Sequence, residues 1–242
     1  MSFHWGHPPP EFVVALHQVG IKVWEQVGSV VAAKEAVHSG IDLIIAQGSE
    51  AGGHNYGSLP TFVLVPEILE AVSPVPVVAA GGIVTGRQLA AALVLGADAV
   101  SIGTRFVASK EAFAHATYKR HLVAAAGIDT RLSSVYGPNM PQFNPMRVLD
   151  VGLAHDFAGR EDSAPKDLES QPVIGTMRLA GETIPLRRFT SFVPTPDTEG
   201  QIDELPLLAG QGVGLIHDIM PVAQTMDILI TEAASALSDL SR

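Results

Sequence analysis

The chain has no cysteine among its 242 residues. That absence removes thiol nucleophiles, thiolate metal ligands and structural disulfides from consideration, while leaving the redox compartment open. Positive charge is also scarce. Lys+Arg 15 against Asp+Glu 25 gives a formal net charge of -10, and with no local basic patch this excludes nucleic acid and anionic membrane surfaces as partners. No apolar run approaches the roughly 18 residues of a membrane-spanning helix. The start Met1-Ser2-Phe3-His4-Trp5 has neither the basic nor the apolar region of a signal peptide. The expectation is a soluble, cytoplasmic protein. Apolar residues are not scarce: 47 % of the chain is hydrophobic, enough at this length for one sizeable core.

Three times in the first hundred residues a helix-compatible segment runs into glycine and then into an apolar stretch, at Gly20-Ile21-Lys22-Val23, Gly40-Ile41-Asp42-Leu43 and Gly96-Ala97-Asp98-Ala99-Val100. Each glycine stands where a helix C-terminal cap belongs. The patterning predicts helices beginning near Pro10, Val30 and Arg87, and strands near 2–5, 22–26, 42–46, 76–80 and 98–102. Strands that are apolar throughout and alternate with helices predict a parallel sheet covered by helices, an α/β architecture. From Ser133 to Gly200 proline, glycine and acidic residues interrupt every run, which predicts an irregular excursion packed on the main domain. An amphipathic helix from about Met220 to Leu240 is expected to pack back on it. The expected organisation is 1–132, 133–200 and 201–242.

Glycine clusters at the strand ends. Leu43-Ile44-Ile45-Ala46 leads into Gln47-Gly48-Ser49-Glu50-Ala51-Gly52-Gly53-His54-Asn55, a pattern that reads either as a plain turn or as a flexible catalytic loop presenting an imidazole, the side chain best suited to proton transfer near neutral pH. Val77-Val78-Ala79-Ala80 leads into Gly81-Gly82-Ile83, and Ala99-Val100-Ser101-Ile102 into Gly103-Thr104-Arg105-Phe106. Two such ends separated by one crossover helix suit the phosphate site that a βα-barrel forms after its last strands. His7, His38, His115, His121, His155 and His217 show no metal-ligand spacing, and no metal is expected. Tyr118-Lys119-Arg120 reads as a solvated helix face.

The segments Ser2-Phe3-His4-Trp5-Gly6, Ala46 to His54, Ala80-Gly81-Gly82-Ile83, Ile102 to Phe106 and Leu208-Ala209-Gly210-Gln211-Gly212 together resemble the nitronate monooxygenase family, FMN-dependent TIM-barrel enzymes. The resemblance implies FMN as cofactor, contacted by Gln47 and Gly52, with Gly81, Gly82, Ser101, Ile102, Gly103 and Thr104 around its phosphate. It implies His54 as the base that takes a proton from the carbon beside a nitro group. His4 is a second candidate, for the nitro oxygens, and Glu50 is expected to orient loop amides. The implied reaction is oxidation of alkyl nitronates with O2 to carbonyl compounds and nitrite.

The family's opening Pro-Met-Ala-Gly-like loop and a later Asn-bearing strand have no counterpart here. Met1 falls where a member would enter about its fourth strand, and about five strands cannot close a barrel of eight. The expectation is therefore an incomplete TIM barrel whose missing half is absent through truncation, supplied by another polypeptide, or replaced by a second copy. Two other functions fit the same glycine loops: an FMN-dependent NAD(P)H reductase acting on an enoyl-ACP or a quinone, and a catalytically impaired half-barrel. IMP dehydrogenase-like barrels share the Gly-Gly-Ile but act through a cysteine, so that reading falls.

Overall fold

The computed structural model describes residues 1–4 and 6–240. In chain order the elements are β1 (Ser2–Phe3), α1 (Pro10–Gln18), β2 (Trp24–Val27), α2 (Val30–His38), β3 (Leu43–Gln47), β4 (Gly53–His54), α3 (Thr61–Val72), β5 (Val77–Ala80), α4 (Gly86–Val94) and β6 (Ala99–Ser101). They continue with α5 (Thr104–Val107), α6 (Ala116–Ala124), β7 (Thr130–Ser133), β8 (Met146–Leu149), α7 (Gly152–Asp156), β9 (Val173–Leu179), β10 (Glu182–Arg187), β11 (Glu199–Gly200) and α8 (Val222–Leu240). Two compact units result, one of Met1–Ala51, Tyr56–Ile102 and Met226–Arg242, the other of Gly52–Asn55 and Gly103–Thr225. The change of composition at 133 does not coincide with a boundary between them. Among the described residues no helix is long and apolar enough to cross a membrane.

In the first unit five strands form one sheet in the order β1-β2-β3-β5-β6, every neighbouring pair parallel. These are the five strands expected from sequence. Trp5, which the expected first strand included, lies outside the described residues. Strand residues alternate between two faces. One carries Val23, Val27, Ile44, Ala46, Val77 and Ala79 into the main core, with Leu64, Val65 and Ile68 of α3. The other carries Leu43, Ile45, Val78 and Ala80, a smaller apolar cluster. Burying a large aliphatic side chain contributes about 1.5–3 kcal/mol, so the helix-covered face supplies most of this unit's stability.

The repeated glycine signal has a repeated structural cause. Gly20, Gly40 and Gly96 all have positive φ, and the next amide in each case returns to a carbonyl five residues back: Ile21 to Leu16, Ile41 to Ala36, Ala97 to Ala92. This is the left-handed helix ending that glycine favours. Two residues after the second and third glycines an aspartate accepts the first core amide of the neighbouring strand, Asp42 from Val23 and Asp98 from Val77, both at 2.8 Å. Helix end and strand start are thus locked by one short segment. From Met226 onward α8 belongs to this unit. Glu232 accepts the Gly86 amide at the start of α4 at 2.9 Å, and a Cβ on Gly86 would stand 2.4 Å from both Glu232 Cβ and the Leu229 carbonyl oxygen.

The second unit holds two antiparallel three-stranded sheets, β4-β8-β7 and β10-β9-β11, over a core of Val135, Tyr136, Met146, Val148, Leu153 and Phe189. The stretch 133–200, expected to be irregular, therefore contains regular structure. Its hairpin β9–β10 turns through Ala180 and Gly181, both at positive φ, the two-residue turn that matches strand twist. Pro185 is tolerated because β10 is an edge strand.

Two outcomes follow. Gly86→Ala should destabilise the protein by about 1–3 kcal/mol, because the new methyl meets backbone and a packed side chain; an unchanged urea midpoint would contradict the packing of α8 on α4. Burial opposes ionisation of Asp42, but bonds from Lys22, the Val23 amide and His17 outweigh it and hold its carboxyl down from 3.8 to about 2. Its stabilisation is complete above 3.8 and is lost as pH falls toward about 2. In acid titrations followed by circular dichroism, Asp42→Asn should lose less stability than wild type over that interval.

Candidate active site

In the first unit the ends of β3 and β5 are tied by one clasp. The Glu50 carboxylate oxygen Oε2 accepts the Thr61 amide at 2.8 Å and lies 3.0 Å from the Thr61 hydroxyl. That hydroxyl also lies 3.0 Å from the Gly81 carbonyl and 3.3 Å from that of Ala80, so three acceptors converge on one proton. The Gly48 amide bonds the Ala80 carbonyl at 2.9 Å. Approach this close excludes side chains: a Cβ on Gly48 would stand 2.1 Å from Thr61 Oγ1, and one on Gly81 2.9 Å from it. Gly81 and Gly82 also have φ of 110° and 71°, which glycine adopts without strain. The Gly81-Gly82 loop is fixed on its far side by Gln88, whose side chain donates to the Gly82 carbonyl and accepts the Val84 amide, both at 2.9 Å. Glu50 therefore holds the first amide of α3, where the sequence reading expected it to orient loop amides.

The face of the sheet away from the main core presents a graded floor. Register places Gln26, Ile45, Val78 and Ala99 in one row, and Gln47, Ala80 and Ser101 in the next row toward the C-terminal strand ends. Gln47 is buried and Ser101 exposed. Ile102 packs against the main core instead, which leaves only its backbone for a ligand. His4 follows β1; its Nδ1 lies 2.8 Å from the Gln26 amide nitrogen and its ring 5.9 Å from that of Tyr56.

In the second unit His54 lies on a strand. β4 pairs antiparallel with β8, Gly53 opposite Arg147 and His54 opposite Met146, so the backbone of His54 is held in a short ladder where the sequence reads as a turn or a flexible loop. Burial lowers the His54 pKa below 6.5 because it disfavours the charged ring. Gly52 packs on the chain at 209–210: a Cβ there would stand 2.5 Å from the Gly210 nitrogen. The Gly210 amide in turn donates to the Thr104 hydroxyl at 3.0 Å. Gly103 differs from these, with open space where a Cβ would be.

The family model described as nitronate monooxygenase matches residues 1–232. The chain belongs to the nitronate monooxygenase family. It is 33% identical over 240 residues to a nitronate monooxygenase of Pseudomonas aeruginosa, covering 96% of this chain and 62% of the relative. Among solved structures it is similar to FabK from Thermotoga maritima (TM-score 0.78, 34% identity, 99% of this chain and 69% of that one). It is also similar to a nitroalkane oxidase from Streptomyces ansochromogenes (TM-score 0.76, 28% identity, 99% and 65%). The chain spans 40% to 63% of the length of three curated relatives that it matches. Its α/β class is that of these TIM-barrel neighbours, here with five parallel strands.

Within this family member the resemblance motifs divide by unit. Gln47, Gly81, Gly82, Ser101, Ile102 and His4 lie in the first, while Gly52, His54, Gly103 and Thr104 lie in the second. Sequence reasoning missed Thr61, Gln26 and the use of Gly210, all of which act through partners distant in sequence. The expected solvated face at 118–120 holds for Arg120, which is exposed, and is corrected for its two neighbours. Tyr118 and Lys119 are buried, because the tyrosine hydroxyl donates to the Leu208 carbonyl and the ammonium donates to the carbonyls of Ser109 and Ala112 at 2.7 Å. Several other histidines have structural partners: His7 bridges Glu25 and Glu35, His17 meets Asp42, and His121 meets Asp203.

Thr61→Val should cost about 0.5–1.5 kcal/mol, the net scale of the one hydrogen bond its hydroxyl donates, while Thr61→Ser should recover most of the loss. Equal denaturation midpoints for wild type and the valine variant would contradict the clasp.

Proposed function

We propose that this chain, with FMN bound, oxidises alkyl nitronates with O2 to carbonyl compounds and nitrite. Family membership and the likeness to a nitroalkane oxidase support the reading. The observation that carries it is His54, held on β4 by pairing with β8, where partial burial lowers the imidazole pKa and so favours the neutral ring. A neutral imidazole accepts a proton at pH 7, whereas an imidazolium does not.

The residues of the first unit suit a flat, phosphorylated ligand. Leu43, Ile45, Val78 and Ala80 form an apolar floor, and Gly81 and Gly82 present backbone without Cβ atoms at the strand ends. In this reading Gln47 contacts the flavin, while Gly81, Gly82, Ser101 and the Ile102 backbone serve its phosphate. The family resemblance also assigns Gly52, Gly103 and Thr104 to the cofactor. FMN supplies the electron transfer and oxygen chemistry that side chains cannot. His54 takes the α-proton when the substrate arrives as a neutral nitroalkane, and His4 donates to the nitro oxygens. A substrate already in the nitronate form needs no proton removed.

That difference gives the test. His54→Asn should lower kcat/KM for a neutral nitroalkane by about 10²–10⁴-fold and change that for the preformed nitronate by less than about tenfold. The wild-type nitroalkane profile should fall as pH drops through a value below 6.5, where His54 becomes protonated, while the nitronate profile stays flat across that limb. Equal losses on both substrates would remove His54 from proton transfer, and no nitrite from a nitronate under air would remove the oxidation itself. The likeness to FabK favours a second reading, an FMN-dependent NAD(P)H reductase. Rapid flavin bleaching by NADH without any nitro compound would select it.

A further inference from the structure

The polar pair at the β1–β2 side of the sheet face has a directional chemistry that the cofactor reading does not use. β1 and β2 are in parallel register with Phe3 opposite Glu25, so the next residue of each, His4 and Gln26, fall side by side on the face away from the main core. Phe3 turns the other way, packing edge-on to Phe12 at 6.0 Å. The Gln26 side chain brings its amide nitrogen to 2.8 Å from His4 Nδ1. An amide NH2 only donates, so Nδ1 must accept, and a neutral imidazole that accepts at one nitrogen carries its proton on the other.

We infer that Gln26 is a positioning residue that fixes His4 in the Nε2–H form, making the imidazole a neutral hydrogen-bond donor for an anionic oxygen of the substrate. The row that contains Gln26 continues through the apolar Ile45 and Val78, so this pair is the polar end of an otherwise apolar row. A floor of that kind takes a planar body, and a donor at its edge takes the charge. Nitronates concentrate negative charge on oxygen, so such a donor binds the anion more tightly than the neutral nitroalkane. The substrate part of this inference rests on the proposed nitronate reading. The tautomer part does not.

The test has two arms. Histidine ¹⁵N chemical shifts of the whole chain, assigned with a His4→Gln variant, should show pyridine-type Nδ1 and pyrrole-type Nε2 at His4. Gln26→Glu, which as a carboxylate can only accept at that position, should move a proton onto Nδ1, and Gln26→Leu should leave a mixture of tautomers. With a preformed nitronate, Gln26→Leu should raise KM about tenfold, the scale of one hydrogen bond to a charged group, with kcat little changed. Gln26→Asn, too short to reach, should behave like the leucine variant, which separates loss of the bond from loss of packing. A pyrrole-type Nδ1 in wild type would overturn the inference whatever the substrate proves to be. The expected shifts with an unmoved KM would overturn the donor role alone. Absence of any nitronate turnover would defeat the nitronate reading and the substrate part with it, while the shifts still decide the tautomer.

Discussion

The contact between the Glu50 carboxylate and Thr61 fixes the business end of the first unit. Thr61 begins α3, Glu50 belongs to the loop after β3, and the Thr61 hydroxyl reaches the carbonyls after β5. One residue thereby joins a helix start to two strand ends that are separated by about thirty residues of chain. The bare backbones at 48 and 81 follow from this, since a methyl at either position would collide with the clasp. These glycines are thus required by packing within the unit.

The second unit solves a different problem, that of aiming one imidazole. Two glycines before His54 would by themselves leave it free to swing. Pairing with β8 holds the backbone of His54, and partial burial lowers the ring's pKa. Motifs separated by a hundred residues also meet here, at the Gly52–Gly210–Thr104 contact. The Thr104 hydroxyl, which the sequence pattern offers to a phosphate, has its oxygen engaged by the Gly210 amide.

Much of the first unit is legible in the sequence because its signals are local. A glycine helix end, a following aspartate and an apolar run sit within five residues of one another, and the Gly-x-Asp spacing recurs. The placement of His54 on a strand is not legible, because its partner strand lies some ninety residues away and glycine beside it reads locally as a loop. For the same reason Thr61 and Gln26 pass unnoticed: a threonine after a proline and a glutamine in a strand acquire meaning only from Glu50 and His4. The stretch 133–200 misleads in another way. Proline and glycine break its periodicity, yet Ala180-Gly181 is a tight hairpin turn and Pro185 sits harmlessly on an edge. Lys119 looks like a surface charge until its carbonyl partners are in view.

Native-state amide hydrogen exchange of Thr61 and Gly48 tests the central claim most directly. Both amides are held in the clasp, by Glu50 and by the Ala80 carbonyl respectively, and groups that open only with the core exchange with a free energy near that of global unfolding. Protection of that order is expected for both amides, matching the amides inside β3 and β5. Exchange on the fast timescale of an exposed loop would show that the strand ends are not fixed, and would contradict it.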